Sequence, residues 1–268
     1  MSPICFEIPV FGGNAALGAV AAGASRIELN AADSYPAGGL TPSLQDLQVI
    51  AAAALGVPLR IMIRPRGPPS SSALGGRDFI YSDPEFEQMK NEIAKLMQSG
   101  LLDVERGDGF VFGILAEDTS RGGCVVDTRR CSILVEASRP FKTVFHRAFD
   151  EVVSCGALTD GDEGRQPWKV ALDDLARCGF DGVLTSGGLG TAPHNADVLV
   201  NILDEASKLN IEIIVGGGVR SRNLPQLVRA LRLSERSQRI SVHSSCLPPG
   251  ETEKVDSVEV GAILEYLK

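Results

Sequence analysis

Lys142-Thr143-Val144-Phe145-His146-Arg147-Ala148-Phe149-Asp150 is a short apolar strand that breaks off abruptly in ionisable residues. A strand that leaves the core and ends in His146, Arg147 and Asp150 brings chemistry to its C-terminal end. Other apolar runs end in the same manner. Residues 25–30 (SRIELN) and 57–64 (VPLRIMIR) carry Arg26, Glu28 and Arg64, and residues 180–185 lead into Ser186-Gly187-Gly188. Residues 211–215 run into Gly216-Gly217-Gly218, and residues 239–242 into His243-Ser244-Ser245. Residues 4–10, with an interior Glu7, and residues 109–115 complete the set of predicted strands.

Helical signals lie between these runs. Residues 14–22 are Ala-rich and stop at Gly23, a natural left-handed cap. Thr41 reads as an N-cap with Pro42 at the first helical position. After Asp83-Pro84, Phe86, Met89, Ile93 and Leu96 mark one face and Gly100 ends it. Further helices are expected over 127–138, 168–177 and 195–209, then after Ser221 as a cap, and after Asp256 and Glu259 as a capping box. Strand then helix, about eight times over, predicts an α/β fold of the (β/α)₈ barrel type, with residues 1–268 as a single domain. An open doubly wound sheet would want Gly-x-Gly-x-x-Gly after the first strand; only Gly12-Gly13 stands there, so no nucleotide cofactor motif is present.

The composition excludes several classes. A net charge of -8 argues against a nucleic-acid binder, and no run approaches the ~18 apolar residues of a membrane span. The opening residues lack a basic segment followed by a long apolar one, so a cytosolic protein is expected. The six cysteines lie far apart in sequence with no C-x-x-C pair, and read as reduced thiols.

In a barrel, alternate strand residues point inward and sites form at the C-terminal rim. Glu7, Arg26, Glu28, Met62, Arg64, His146, Ser186 and His243 fit inward positions. Buried charges cost several kcal/mol each unless paired, so such a set must be mutually satisfied. A purely structural set would have Glu28 held by Arg26 or Arg64. A ligand site would use Glu7, Glu28, His146 and Asp150 as catalytic candidates. Arg26, Arg64, Arg66, Arg147, Ser186, Gly217, Gly218, His243 and Ser244 would bind the ligand. Gly217, Gly218 and Ser244 lie where many barrels hold an anion on backbone amides.

At this point the chain resembles a known family. Arg26-Ile27-Glu28-Leu29, Gly38-Gly39-Leu40-Thr41-Pro42-Ser43, Met62-Ile63-Arg64-Pro65-Arg66-Gly67, Tyr81-Ser82-Asp83, Val111-Phe112-Gly113, Phe145-His146-Arg147-Ala148-Phe149-Asp150, Leu184-Thr185-Ser186-Gly187 and Gly216-Gly217-Gly218 together resemble the CutC copper homeostasis family. The resemblance implies a TIM-type barrel, a cytosolic location, self-association into a homo-oligomer, and copper as the bound ion. It also carries departures. Cysteines that animal members hold near the first-strand Glu and after Arg-Ile-Glu-Leu are here Pro9 and Asn30, and the usual Met-Pro before the three glycines is Ile214-Val215. The segments 65–76 and 156–166 are longer than the family's usual connections. Cu(I) prefers thiolate and thioether ligands, and Met62, His146, His243 and Cys246 are the metal candidates that remain.

Three functional readings follow. The resemblance implies a copper homeostasis protein whose copper binding is weak because soft ligands are replaced. The residues themselves imply a barrel enzyme for a small carboxylated or phosphorylated metabolite. There His146 would transfer the proton, Glu28 or Glu7 would be its carboxylate partner and Arg64 the anion clamp. The third reading is a non-catalytic oligomeric scaffold.

Overall fold

The computed structural model describes residues 4–69, 77–118, 123–155, 166–236 and 239–267. Strands β1 (Cys5–Phe11), β2 (Arg26–Asn30), β3 (Leu59–Met62), β4 (Gly109–Phe112), β7 (Lys142–Phe145), β8 (Gly182–Thr185), β9 (Glu212–Val215) and β10 (Ile240–His243) close into a parallel barrel. Closure is by β1 against both β2 and β10, with Glu7 level with Arg26 on one side and with His243 on the other. This is the expected (β/α)₈ architecture. The two-stranded antiparallel sheet of β5 (Leu115–Asp118) and β6 (Gly123–Val126) was not foreseen. Leu115, read above as the end of the fourth strand, belongs to that hairpin.

Helices α1 (Gly13–Ala22), α2 (Leu44–Ala52), α3 (Asp83–Gln98), α4 (Thr128–Ser138), α5 (Ala148–Ser154), α6 (Pro167–Cys178), α7 (Ala196–Leu209), α8 (Leu224–Leu231) and α9 (Ser257–Leu267) surround the barrel. The outward-facing strand residues, among them Ile8, Ile27, Ile61, Phe112, Phe145 and Ile213, form the main core with the apolar stripes of these helices. The inward-facing residues form a second, separate cluster of Met62, Val111, Val144, Leu184 and Ile214. Side-chain alternation along each strand divides the two cores.

Three expected caps move. The N-cap of α2 is Ser43, not Thr41, because Ser43 and Asp46 bond reciprocally in a capping box. Thr41 instead donates to and accepts from the Arg64 backbone. Helix α8 starts after Asn223, while Ser221 binds the Glu259 carboxylate with both its amide (2.8 Å) and its hydroxyl (2.6 Å). Asp256 accepts from the amide of Val258, but Glu259 is spent on Ser221, so the expected reciprocal box does not form. Most of the expected 156–166 insertion, and residues 70–76 of the loop after Arg66, lie outside the described residues.

Candidate functional site at the barrel mouth

A cavity of about 550 Å³ opens at the C-terminal end of the barrel. Glu28 and Asn30 of β2, Met62 and Arg64 of β3, His146 after β7 and His243 of β10 line it, with Phe79 entering from the loop after β3. Glycines make room for both imidazoles. A Cβ on Gly113 would stand 2.7 Å from the His146 ring, and one on Gly216 would stand 3.3 Å from that of His243.

Beneath the mouth is a buried ionic layer. Arg26 donates to Glu7 at 2.5 Å and to Glu212 at 2.9 Å, and Ser241 donates to Glu212. The second oxygen of Glu7, Oε1, meets His243 Nδ1 at 2.7 Å. Burial would by itself raise the Glu7 carboxyl, but Arg26 and His243 outweigh it and hold it below the usual carboxylate range. Burial would lower the His243 imidazole, yet the bond to Glu7 outweighs it and raises it. With Nδ1 fixed on a carboxylate, Nε2 is the nitrogen through which this ring can take or give a proton.

Glu28 is not held by Arg26 or Arg64. Its Oε1 accepts from Asn30 at 3.2 Å and its Oε2 has no partner among the described residues. Burial pushes its carboxyl up, against the pull of His243, so Glu28 is biased toward the protonated acid while Glu7 stays ionised. Two carboxyls beside one imidazole thus have their proton affinities driven apart, the pattern that separates acid from base. Single ligand atoms of Glu7, Glu28 and His243 lie within 4.8 Å of one another.

His146 differs from its expected role. Its Nδ1 accepts the Ala148 amide at 3.2 Å, which leaves the hydrogen to Nε2, and that N–H has no acceptor among the described residues. Burial, helped by the Arg64 charge, lowers this imidazole to about 3. His146 is thus biased toward the neutral imidazole, with Nε2 the nitrogen turned to the cavity as a donor.

The other predicted residues divide. Asp150 accepts from Thr185 Oγ1 (2.6 Å), the Ser186 amide (3.0 Å), Ser186 Oγ (2.8 Å) and Arg147 Nε (2.8 Å). Asp150 lines the mouth with its oxygens already engaged, while Ser186, bonded to it and to the Gly188 carbonyl, lies behind the lining. Arg64 is latched by Nη1 to the carbonyls of Ala37 (2.6 Å) and Gly39 (3.0 Å) and by Nη2 to Asp78 (2.9 Å). Arg66 leaves the site for Glu85 and the Ile80 carbonyl, and Arg26 lies in the ionic layer beneath the mouth. Cys246 is fully buried and faces a different cavity, bounded by Leu247, Pro248 and Glu259. Arg147, Gly217, Gly218 and Ser244 do line the mouth. The amides of Gly217 and Gly218 have no protein acceptor among the described residues.

Sequence reasoning missed Glu212, Arg60 and Arg220. Glu212 and Arg60 keep the same period-two spacing as Ile214 and Met62, so alternation could have found both. Arg220 extends the Gly216-Gly217-Gly218 turn to the rim, where it donates to Ser244 Oγ (2.9 Å) and Ser245 Oγ (3.1 Å).

The CutC family model matches residues 4–240. The chain belongs to the CutC family. A copper homeostasis protein cutC homolog of Mus musculus is 34% identical over 265 residues, covering 97% of this chain and 81% of the relative. The Homo sapiens homolog is 34% identical over 229 residues, covering 85% and 70%. The CutC crystal structure from Streptococcus agalactiae superposes with a TM-score of 0.63 at 26% identity, covering 90% of this chain and 98% of that one. Phosphoribosyl anthranilate isomerase, at 12% identity, TM-score 0.55 and 98% coverage of each chain, shares the fold.

The copper that the CutC name brings with it can be tested against the mouth. Among the described residues no cysteine lines it, and the one thioether that does, Met62, packs in the apolar cluster inside the barrel. His146 offers a proton where a ligand would need a lone pair, and Glu7 is already held by Arg26 and His243. The lining does not fit Cu(I).

Proposed function

We propose that this chain binds a small anionic organic molecule at the barrel mouth and moves a proton on it. His243 acts as the acid–base group, Glu7 as the residue that holds its tautomer, and Glu28 as a second proton carrier. The observation that carries this reading is the Glu7–His243 bond of 2.7 Å beside the buried Oε2 of Glu28, without a partner among the described residues, at the foot of the 550 Å³ cavity. The neutral His146 N–H would polarise an oxygen of the ligand. Arg147, Arg220 and the amides of Gly217 and Gly218 would receive its anionic end. Arg64, the expected clamp, has its Nη1 and Nη2 engaged and, among the described residues, no acceptor for Nε.

Thermal melts with inorganic phosphate and with small dicarboxylates test the binding half. A ligand at a hundredfold excess over its Kd stabilises by ~2.7 kcal/mol, and the shift should vanish in Arg220→Met but persist in Arg66→Met. A wild type indifferent to every anion tried would sink the reading. Native mass spectrometry of protein taken directly from cells then names the retained molecule. His243→Asn should still bind it but no longer turn it over or exchange its hydrogens with solvent.

A second reading, copper held at the mouth, has the Glu7, Glu28 and His243 oxygen and nitrogen atoms in its favour. Such a set suits a borderline divalent ion better than Cu(I). It would bind weakly, since the ion must displace the proton that joins Glu7 to His243. Isothermal titration with Cu(II), compared between wild type and His243→Asn, decides it: equal heats remove the mouth as a copper site.

A further inference from the structure

Arg64, Arg147 and Arg220 all reach the mouth, and they differ in how their charges are balanced. Arg64 is paired with Asp78 at 2.9 Å and Arg147 with Asp150 at 2.8 Å. Arg220 bonds to neutral oxygens: the Val219 carbonyl at 2.9 Å, Ser244 Oγ at 2.9 Å and Ser245 Oγ at 3.1 Å. Among the described residues it makes no ion pair. Its bonds lay the guanidinium across the turns that follow β9 and β10. The same two turns carry the backbone amides of Gly217, Gly218 and Ser245, which have no acceptor among the described residues. All three residues line the cavity. A Cβ on Gly217 would stand 3.4 Å from Arg147 Cζ, so a second guanidinium lies against this turn.

We propose that these two turns hold the phosphoryl group of a phosphate monoester, and that the ligand is a phosphorylated hydroxy-aldehyde or hydroxy-ketone, a sugar phosphate. This names the ligand class of the function proposed above and rests on that reading. The donor set selects phosphate over carboxylate. A carboxylate has two oxygens in one plane and a single charge. A phosphate monoester has three terminal oxygens and a charge of about −2 at neutral pH. Amides from two separate turns, an unbalanced guanidinium and another beside Gly217 match the phosphoryl group better than the carboxylate.

The cavity floor selects the rest of the molecule. His146 is buried and its Nε2 has no acceptor among the described residues, so this N–H suits a carbonyl oxygen. Glu28 is buried too, with Oε2 unpartnered among the described residues, and His243 has only Nδ1 tied to Glu7. Shifting a carbonyl by one carbon in a hydroxy-carbonyl compound moves two protons. One passes from the carbinol carbon to the carbonyl carbon, the other from the hydroxyl to the carbonyl oxygen. His243 would carry the first and Glu28 the second, while His146 steadies the oxygen on which charge develops. Both carriers end as they began, no electron leaves the molecule and no co-reactant is needed.

The test offers the full wild-type chain ribose 5-phosphate, glycerol 3-phosphate, ribose and malate in thermal melts and calorimetry. Both phosphate esters should bind, with malate at least ~10-fold weaker and ribose without measurable binding. Arg220→Met should weaken the esters by ~10–100-fold, the worth of a charge-assisted bond. Triose to hexose phosphates are then followed by proton NMR in D2O. At least one should gain deuterium next to its carbonyl faster than it does without protein, and His243→Asn should bind that ester without exchanging it. Stabilisation by malate and not by the esters overturns the phosphoryl site and leaves the proton-transfer reading standing. Esters that bind while no member of the series exchanges overturn the hydroxy-carbonyl assignment. Indifference to every anion removes both this inference and the function it rests on. The wild-type comparisons need no variant, so a poorly folded Arg220→Met does not blunt them.

Discussion

The two histidines at the mouth sit on opposite walls of one barrel and are driven in opposite directions. His243 stands on the wall of β1, β2 and β10, where inward positions are Glu7, Arg26, Glu28 and Asn30, and its proton affinity is raised. His146 stands on the wall of β3, β4, β7, β8 and β9, where the inward positions next below the mouth are Met62, Val111, Val144, Leu184 and Ile214, with the charged Arg60 and Glu212 one layer deeper. With only Arg64 as a charged neighbour among the causes of its shift, it falls to about 3. The residue type is the same; the wall decides whether it is a proton carrier or a fixed neutral donor. A barrel mouth floored by polar groups on one side and by apolar ones on the other can both ionise and desolvate a ligand placed between them.

The largest effect should come from breaking the polar wall. Arg26→Met strands Glu7 and Glu212 in the interior, and urea unfolding should show a loss of ~3–5 kcal/mol. A loss below ~1 kcal/mol would mean that water reaches the layer and that the wall is not a closed network.

Next in size is the acid limb of stability. The His146 imidazole is held below its unfolded value, so its contribution is present above about pH 6.5 and is lost as pH falls toward about 3. The loss is on the order of 3–4 kcal/mol across that window. His146→Gln should flatten this limb when unfolding is measured from pH 7 to pH 4. An unchanged slope would show that Arg64 and burial do not act on this ring.

Gly113→Ala sharpens the same point sterically. Its methyl group would meet the His146 ring at 2.7 Å and Phe145 at 3.1 Å, and should cost ~1–3 kcal/mol by melting. A neutral outcome would mean that the apolar wall is loosely packed.

The smallest effect is on the alkaline side. His243 has a raised folded value, so its contribution is complete below about pH 6.5 and fades as pH rises through that higher value. His243→Asn should remove this alkaline slope and leave the acid limb intact. If it abolishes the acid limb instead, the assignment of the two rings is reversed.

Much of this was legible in the chain because strand alternation is a local rule. Glu7, Glu28, Arg64, His146 and His243 were assigned inward from period-two spacing alone, and Glu212 and Arg60 could have been. The helix caps were harder. Thr41-Pro42 and Ser43-x-x-Asp46 compete within three residues, and the reciprocal bonds of Ser43 and Asp46 decide between them. Glu259 had a local partner in prospect in Asp256 and took a distant one, Ser221.

The sequence by itself determined the number of strand–helix units, the closed barrel and the end at which polar groups collect, since all three rest on hydrophobic period and on the chemistry of strand ends. Only the tertiary structure decided which partner each polar group keeps. Arg26 could have held Glu28 and holds Glu7 and Glu212; His146 spends Nδ1 on a backbone amide while His243 spends its own on a carboxylate; Cys124 and Cys155, 31 residues apart, touch. Pairing depends on the stagger between neighbouring strands and on where loops return, and neither is written in the spacing along any one strand.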